Sequence, residues 1–409
     1  MKGKRFFMIG VISLSLILLL FFSASAAVKT LRIGATASFA DRNGIQMKRI
    51  LELLSGKLNE AGGLALKGER YDVQMIIYDD KYQADAGRAA FEKLVYQDKV
   101  KLIFSYGGAP TLAGIEVTEP NKVLLFTSTQ AQQIFQPKYK YTVHTRASTL
   151  GVVSNAVFWK KYLKSTALKT VVIMTNDDYT GHSSAKDYTT MWTHCGMKVV
   201  DSLYYKRGAV DLNPVAAKLK SINPDIVEFA SLTQGLETLR VHKAVYQSGW
   251  KGLISSEQAQ GTIPDIVNVC GKEAVEGTIV VISDTTTIPN PPPLVIPFRK
   301  SYMEKHGVWE TDALRMVDGW FYFVEAVKRA DSVDPDAIID KIQGLSVETF
   351  FGTSRLCRRP DLGNNRYVDC ATPKFYGQVK NGEVVYLDQI SAIGQIKMAE
   401  EMLGGGKWE

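Results

Sequence analysis

From residue 31 onward, short apolar runs alternate with amphipathic segments. Residues 31–36 (Leu-Arg-Ile-Gly-Ala-Thr) have strand character. Residues 44–61 follow a helical period, with Ile50, Leu51, Leu54 and Leu58 on one face and Gly62-Gly63 as a stop signal. Strands are then predicted over 73–77, 101–105 and 123–127, with helices over 85–97 and 111–119. The pattern restarts near residue 148. Helices are predicted over 150–163, 183–194, 214–221 and 235–247, and strands over 170–174, 198–203, 225–230, 252–255 and 277–283. Strand–helix alternation with short connections predicts an α/β fold, with parallel sheets covered by helices on both faces. Two successive runs predict two lobes.

The texture then changes. Residues 289–297 hold five prolines in nine positions, which excludes helix and central strand and predicts a stiff surface connection. Helices are predicted over 298–306, 314–330 and 335–342, and short strands and turns after Phe350. Asn381-Gly382 lies between apolar runs at 375–379 and 384–387, the signature of a two-residue hairpin. Gly404-Gly-Gly predicts a loose tail.

The amino-terminal stretch follows neither pattern. Lys2, Lys4 and Arg5 precede a 17-residue apolar run from Phe6 to Phe22, followed by Ser23-Ala24-Ser25-Ala26-Ala27. This is the tripartite form of a secretory signal cleaved after Ala26. A retained anchor is the other reading, but the run is short for a span and a cleavage site follows it directly. No Cys adjoins the cut, so lipid attachment there is excluded. The formal charge of +7 includes these three cations, leaving 7 − 3 = +4 for the mature chain. Basic and acidic residues are interspersed, which describes a solvated surface and no nucleic-acid stripe. Of the four Cys, Cys357 and Cys370 flank a turn signal, and export to an oxidising compartment predicts a disulfide between them. Cys195 and Cys270 read as buried or free thiols. The five His are scattered, so no metal site is expected.

Ile33-Gly34, Asn59-Glu-Ala-Gly-Gly63, Tyr78-Asp-Asp80 and Leu94-Val-Tyr-Gln-Asp98 are followed in order by Asn176-Asp-Asp-Tyr-Thr-Gly181, Asn223-Pro-Asp225, Ser248-Gly249 and Val275-Glu-Gly277. Together they resemble the type I periplasmic solute-binding proteins, and among these the branched-chain amino-acid (leucine/isoleucine/valine) group that serves ABC importers. The likeness spans nearly the whole mature chain. It implies two Rossmann-like lobes joined by a three-segment hinge. Residues 1–26 would be the signal peptide, 27–147 with 282–373 the first lobe, and 148–281 with 374–409 the second. Ligand would lie at the carboxyl ends of the strands, in a crevice that closes by hinge motion.

The resemblance also nominates site residues. Gly107, Gly108 and Ala109 follow a strand and could offer backbone N–H groups to a ligand carboxylate, or form a plain strand–helix turn. The amino-acid binders usually carry Ser where Gly108 falls. Ser128, Thr129 and Gln130 match a second carboxylate clamp, with helix capping as the alternative. Tyr179 matches an aromatic wall from the second lobe. Glu257 matches the acid that receives a ligand ammonium, or is a solvated surface residue. Arg42 and Asn43 replace a loop that often carries an aromatic. Arg42 is either a bidentate anion partner or an exposed cation.

The implied function is an exported, periplasmic, monomeric protein that delivers a small carboxylated solute to the membrane subunits of an ABC permease, without cofactor or catalysis. An amino acid with an apolar side chain is the first expectation, an aromatic or other organic acid the second. The sequence holds no GxSxG, P-loop or HExxH motif for an enzyme. A membrane-anchored sensor would need a retained anchor and a signalling module. A DNA-binding regulator would need a headpiece where the signal lies.

Overall fold

The computed structural model describes residues 28–129, 131–146, 149–232, 235–257 and 259–409. The proposed signal segment and Gln130 lie outside the described residues. No helix among the described residues is long and apolar enough to cross a membrane.

The first sheet is built from β1 (Lys29–Ala37), β2 (Leu64–Leu66), β3 (Glu69–Asp79), β4 (Leu102–Ser105), β5 (Leu124–Thr127) and β6 (Thr142–His144), with helices α1 (Arg42–Glu60), α2 (Ala84–Glu92) and α3 (Gly108–Thr118) in the connections. The strand order is β2-β3-β1-β4-β5-β6, parallel except for the short hairpin strand β2. Because both faces are covered, β4 is buried throughout, and Leu102, Ile103 and Phe104 are apolar in succession. Leu102 and Phe104 enter the core beneath α1, whereas Ile103 enters the one beneath α2 and α3.

The second sheet uses β7 (Thr170–Asn176), β8 (Lys198–Tyr205), β9 (Ile226–Phe229), β10 (Leu253–Ser256) and β11 (Ile279–Val281). Its helices are α4 (Thr149–Leu163), α5 (Tyr179–His194), α6 (Asn213–Ile222), α7 (Leu236–Ser248) and α8 (Ile263–Cys270). The chain returns to the first lobe through α9 (Val295–His306), α10 (Asp318–Ala330) and α11 (Pro335–Lys341). There Trp320 and Phe323 of α10 pack on Phe104 at ring-centroid distances of 6.2 and 6.1 Å. A small antiparallel sheet follows: β12 (Ser346–Thr349), β13 (Gly352–Arg359) and β14 (Asn364–Ala371). The hairpin β15 (Lys374–Lys380) and β16 (Glu383–Ile390) then joins the edge of the second sheet, giving the order β16-β15-β11-β10-β9-β7-β8. Its turn is the expected Asn381-Gly382, with φ of 54° and 83°, the left-handed pair a two-residue turn demands. The last helix, α12 (Ala392–Leu403), packs on α4. The result is the expected mixed α/β fold of two lobes with parallel-rich sheets.

Two expectations need correction. Cys357 and Cys370 are both free and fully buried. In the β13–β14 ladder Cys370 faces Leu356, and Cys357 faces Asp369. Side chains on a strand alternate between faces, so this register sends the two sulfurs to opposite sides of the sheet. Cys370 joins the first-lobe core, and Cys357 joins the cluster with Ile396 and Trp408. The glycine tail is not loose either. Trp408 is fully buried, its indole N–H donates to Gly404 O at 3.0 Å, and its ring lies 5.2 Å from the Arg359 guanidinium.

Peptide mapping of unreduced, denatured protein should therefore find both Cys357 and Cys370 alkylated as free thiols; a linked peptide pair would contradict the register. A second expectation concerns Glu228 in the middle of β9. It is 1% exposed, and burial, with Glu257 nearby, pushes its carboxyl up to about 8. Between the ordinary carboxylate range and that value, the native state keeps a proton that the unfolded chain has released. Stability therefore falls as pH rises through this window. Glu228→Gln should be more stable than wild type at about pH 9 and gain much less at about pH 5. Equal urea midpoint differences at both pH values would refute this.

Candidate ligand-binding cleft

Two short motifs fix where helices begin. In Asp41-Arg-Asn-Gly44, Asp41 caps α1 by accepting Gly44 N–H at 2.9 Å. In Asp178-Tyr-Thr-Gly181, Asp178 caps α5 by accepting Gly181 N–H at 2.9 Å. Each glycine lets its helix start against the strand before it. A Cβ on Gly44 would lie 1.9 Å from Ser38 O, and one on Gly181 would lie 1.8 Å from Asn176 O. These helices start earlier than hydrophobic period alone indicates, because the caps, not the apolar face, set the first turn. The helix α3 also begins early, at Gly108 rather than Thr111, but without a side-chain cap.

Those starts meet at the carboxyl ends of both sheets and enclose a cavity of ≈ 280 Å³. The first lobe supplies Ser38, Asn43, Tyr82, Tyr106, Gly107, Gly108, Ser128 and Thr129. The second supplies Thr180, Arg207, Ser231 and Leu232, and Arg146 follows β6 at the crossing. Gly107 has φ 83°, and a Cβ there would come within 2.9 Å of Tyr82 Cε2. A Cβ on Gly108 would lie 3.2 Å from Thr180 Oγ1, so the lobes approach each other at this residue. Ser128 is 2% exposed and its hydroxyl has no protein partner. Asn43 Oδ1 is likewise buried without one.

The charges are organised by the caps. Asp41 also accepts the Tyr106 hydroxyl at 2.6 Å, and burial together with this carboxylate keeps Tyr106 protonated. Burial opposes ionisation of Asp178, but the Arg207 guanidinium, whose Nε donates to it at 2.7 Å, and Gly181 N–H hold its carboxyl below the usual range. Arg207 is held from the other side by Glu237, 3.5 Å away. Three helix N-termini, from α1, α3 and α5, thus face a cavity that also contains Lys81, Arg146 and Arg207. N-terminal dipole ends and guanidinium groups favour an anion.

Of the sequence-nominated residues, Asn43, Gly107, Gly108, Ser128 and Thr129 come together in this cavity. Arg42 does not. It is the first helical residue after the cap, turns outward, and pairs with Asp312 at 3.0 Å. Ala109 points to solvent on α3. Tyr179 occupies the same first-turn position as Arg42, is 44% exposed, and stands at the cleft mouth, with its Cδ1 3.8 Å from a Cβ placed on Gly108. Glu257 is engaged internally, by Lys374 at 2.5 Å and by the Tyr188 hydroxyl. Sequence reading missed Tyr106, Arg146, Thr180 and Arg207. The signal was available for the two arginines, since each lies just beyond the carboxyl end of a strand, β6 and β8. Among the described residues, no group of His, Cys, Asp and Glu is placed to hold a metal ion.

Known structures share this architecture. A solute-binding protein of an ABC transporter from R. palustris, in complex with benzoate, superposes with a TM-score of 0.71 at 16% identity, covering 89% of this chain and 99% of that one. A leucine-binding protein from Thermotoga maritima gives 0.69 at 21% identity, covering 89% and 99%. A leucine-, isoleucine-, valine-, threonine- and alanine-binding protein from Brucella ovis, in a closed conformation, gives 0.73 at 18% identity, covering 90% and 97%. The sequence profile of the family described as "Periplasmic binding protein" matches residues 33–371. With that match over most of its length, and a cleft formed where both sheets end, the chain belongs to the periplasmic binding protein family.

Proposed function

We propose that this is an exported solute-binding protein that encloses a small carboxylate between its lobes and presents it to the membrane subunits of an ABC permease. The observation that carries the reading is the convergence of three helix N-termini, the buried Ser128 hydroxyl and three basic side chains on one cavity of ≈ 280 Å³. A carboxylate fits that inventory: it takes the Gly108 amide and the Ser128 hydroxyl from the first lobe, and Arg146 or Arg207 as counter-charge. Closure brings Thr180 down on the ligand from the second lobe. We infer that residues 27–147 with 282–373 form one lobe and 148–281 with 374–409 the other. Three passages between the sheets, after β6, after β11 and between β14 and β15, support this division. A periplasmic location follows from family membership and the amino-terminal signal pattern. The ligands named for the structural neighbours, benzoate and amino acids, both carry a carboxylate, which supports this reading.

Gly108→Val adds a branched side chain where the lobes approach, and Ser128→Ala removes a buried donor. Calorimetry against a panel of small carboxylates should show affinity falling about 100-fold for the first, or about 3 kcal/mol. The second should lose about 10-fold. Both variants should keep a near-native melting temperature. Unchanged affinity in both would show that the ligand lies elsewhere. Amino-terminal sequencing of the exported protein should begin at Ala27 or Val28; an intact Met1 on membrane-bound material would contradict the export reading.

A further inference from the structure

An ion pair beside the cleft bears on whether the ligand carries an ammonium. Glu257 directly follows β10, so it sits at the same carboxyl edge as the cavity residues, and its side chain is 18% exposed. Lys374 opens β15 and is 2% exposed. Its Nζ lies 2.5 Å from Glu257 Oε1 and donates to Gly151 O at 2.8 Å and Asn155 Oδ1 at 3.0 Å. Three acceptors match the three N–H donors of an ammonium. The shell is complete, and it is filled by the chain itself.

We propose that Lys374 is a specificity-determining residue: its ammonium takes the Glu257 carboxylate that a ligand ammonium would need, so the cleft accepts carboxylic acids without an α-amino group. This rests on the small-carboxylate reading above and narrows it. The other carboxylates near the cleft carry contacts of their own, although one oxygen of Asp80 has none. Asp41 caps α1 and accepts Tyr106. Asp178 caps α5 and holds Arg207. Glu237 accepts from Asn176 at 2.6 Å and faces Arg207. Asp80 accepts the Tyr82 amide at 2.8 Å. An amino acid entering this cleft sheds the water around its ammonium, finds Glu257 already held by Lys374, and meets the like charges of Lys81 and Arg146. A plain carboxylic acid suffers none of these costs.

Matched pairs test this without any variant: phenylacetate with phenylglycine, 3-phenylpropanoate with phenylalanine, and 4-methylpentanoate with leucine differ only in the ammonium. By calorimetry, wild type should bind at least one acid, and its amino counterpart about 100-fold more weakly or worse. Lys374→Met frees Glu257 and should shrink that ratio at least about 10-fold. Lys374→Met combined with Glu257→Gln removes both charges and should leave the wild-type preference in place, which a merely structural pair would not predict for one variant and against the other. An amino acid bound as tightly as its matched acid by wild type overturns this inference and leaves the small-carboxylate reading standing. Binding of no member of any pair overturns that reading, and this inference with it.

Discussion

An aspartate cap followed by a glycine, used once in each lobe, governs the functional end of this molecule. Asp41 and Gly44, and Asp178 and Gly181, start α1 and α5 so close to the preceding strand that a methyl group would overlap a backbone carbonyl at the strand's end. The consequence is electrostatic as much as steric. Helices that begin at the strand end aim their unpaired amides into the crevice between the sheets instead of into solvent. The second helical residue of each motif, Asn43 or Thr180, then faces the cavity, while the first lies outside it: Arg42 pairs with Asp312, and Tyr179 stands at the mouth. A single local device, repeated, supplies both walls of the site.

Behind that site, the crossing between β14 and β15 is fastened from both lobes. Both terminal nitrogens of Arg315 donate to Pro373 O at 3.1 Å, and Thr372 donates to Asp318 at 3.1 Å. Gln395 of α12 donates to Thr372 O at 2.5 Å, and Lys374 reaches α4 and Glu257. Burial opposes ionisation of Glu257, yet Lys374, Tyr188 and Arg146 together hold its carboxyl down to about 2. Buried pairs of this kind contribute little net stability when intact, but losing one partner costs about 3–5 kcal/mol. They are better understood as fixing where the crossing runs, and so how the lobes approach. The Gln132 side chain, which donates to Asp187 of α5 at 2.6 Å, ties the loop after β5 to the second lobe on the same principle.

The α/β architecture was legible because parallel strands covered on both faces are largely apolar, as in Leu102-Ile103-Phe104, and because Asn381-Gly382 permits few turns. The lining of the candidate cavity was legible wherever the strand-end rule applied to small residues, as at Gly107, Gly108, Ser128 and Thr129. It failed for Arg42 because one residue along a helix is about 100° of rotation, and hydrophobic period does not locate the cap that sets the phase. It failed for Cys357 and Cys370 because nearness in sequence says nothing about strand register, on which the face of each thiol depends. The partner of Glu257 was out of reach altogether. Lys374 arrives through a hairpin strand added to the far edge of the parallel sheet, and only the fold brings the two together.

The proposed function requires a cleft shaped and charged for one small carboxylate. Native mass spectrometry of the exported protein, purified without denaturation and followed by identification of the released compound, addresses this directly. One equivalent of a small carboxylic acid without an amine is the expected result. A neutral or cationic solute in that position would contradict it.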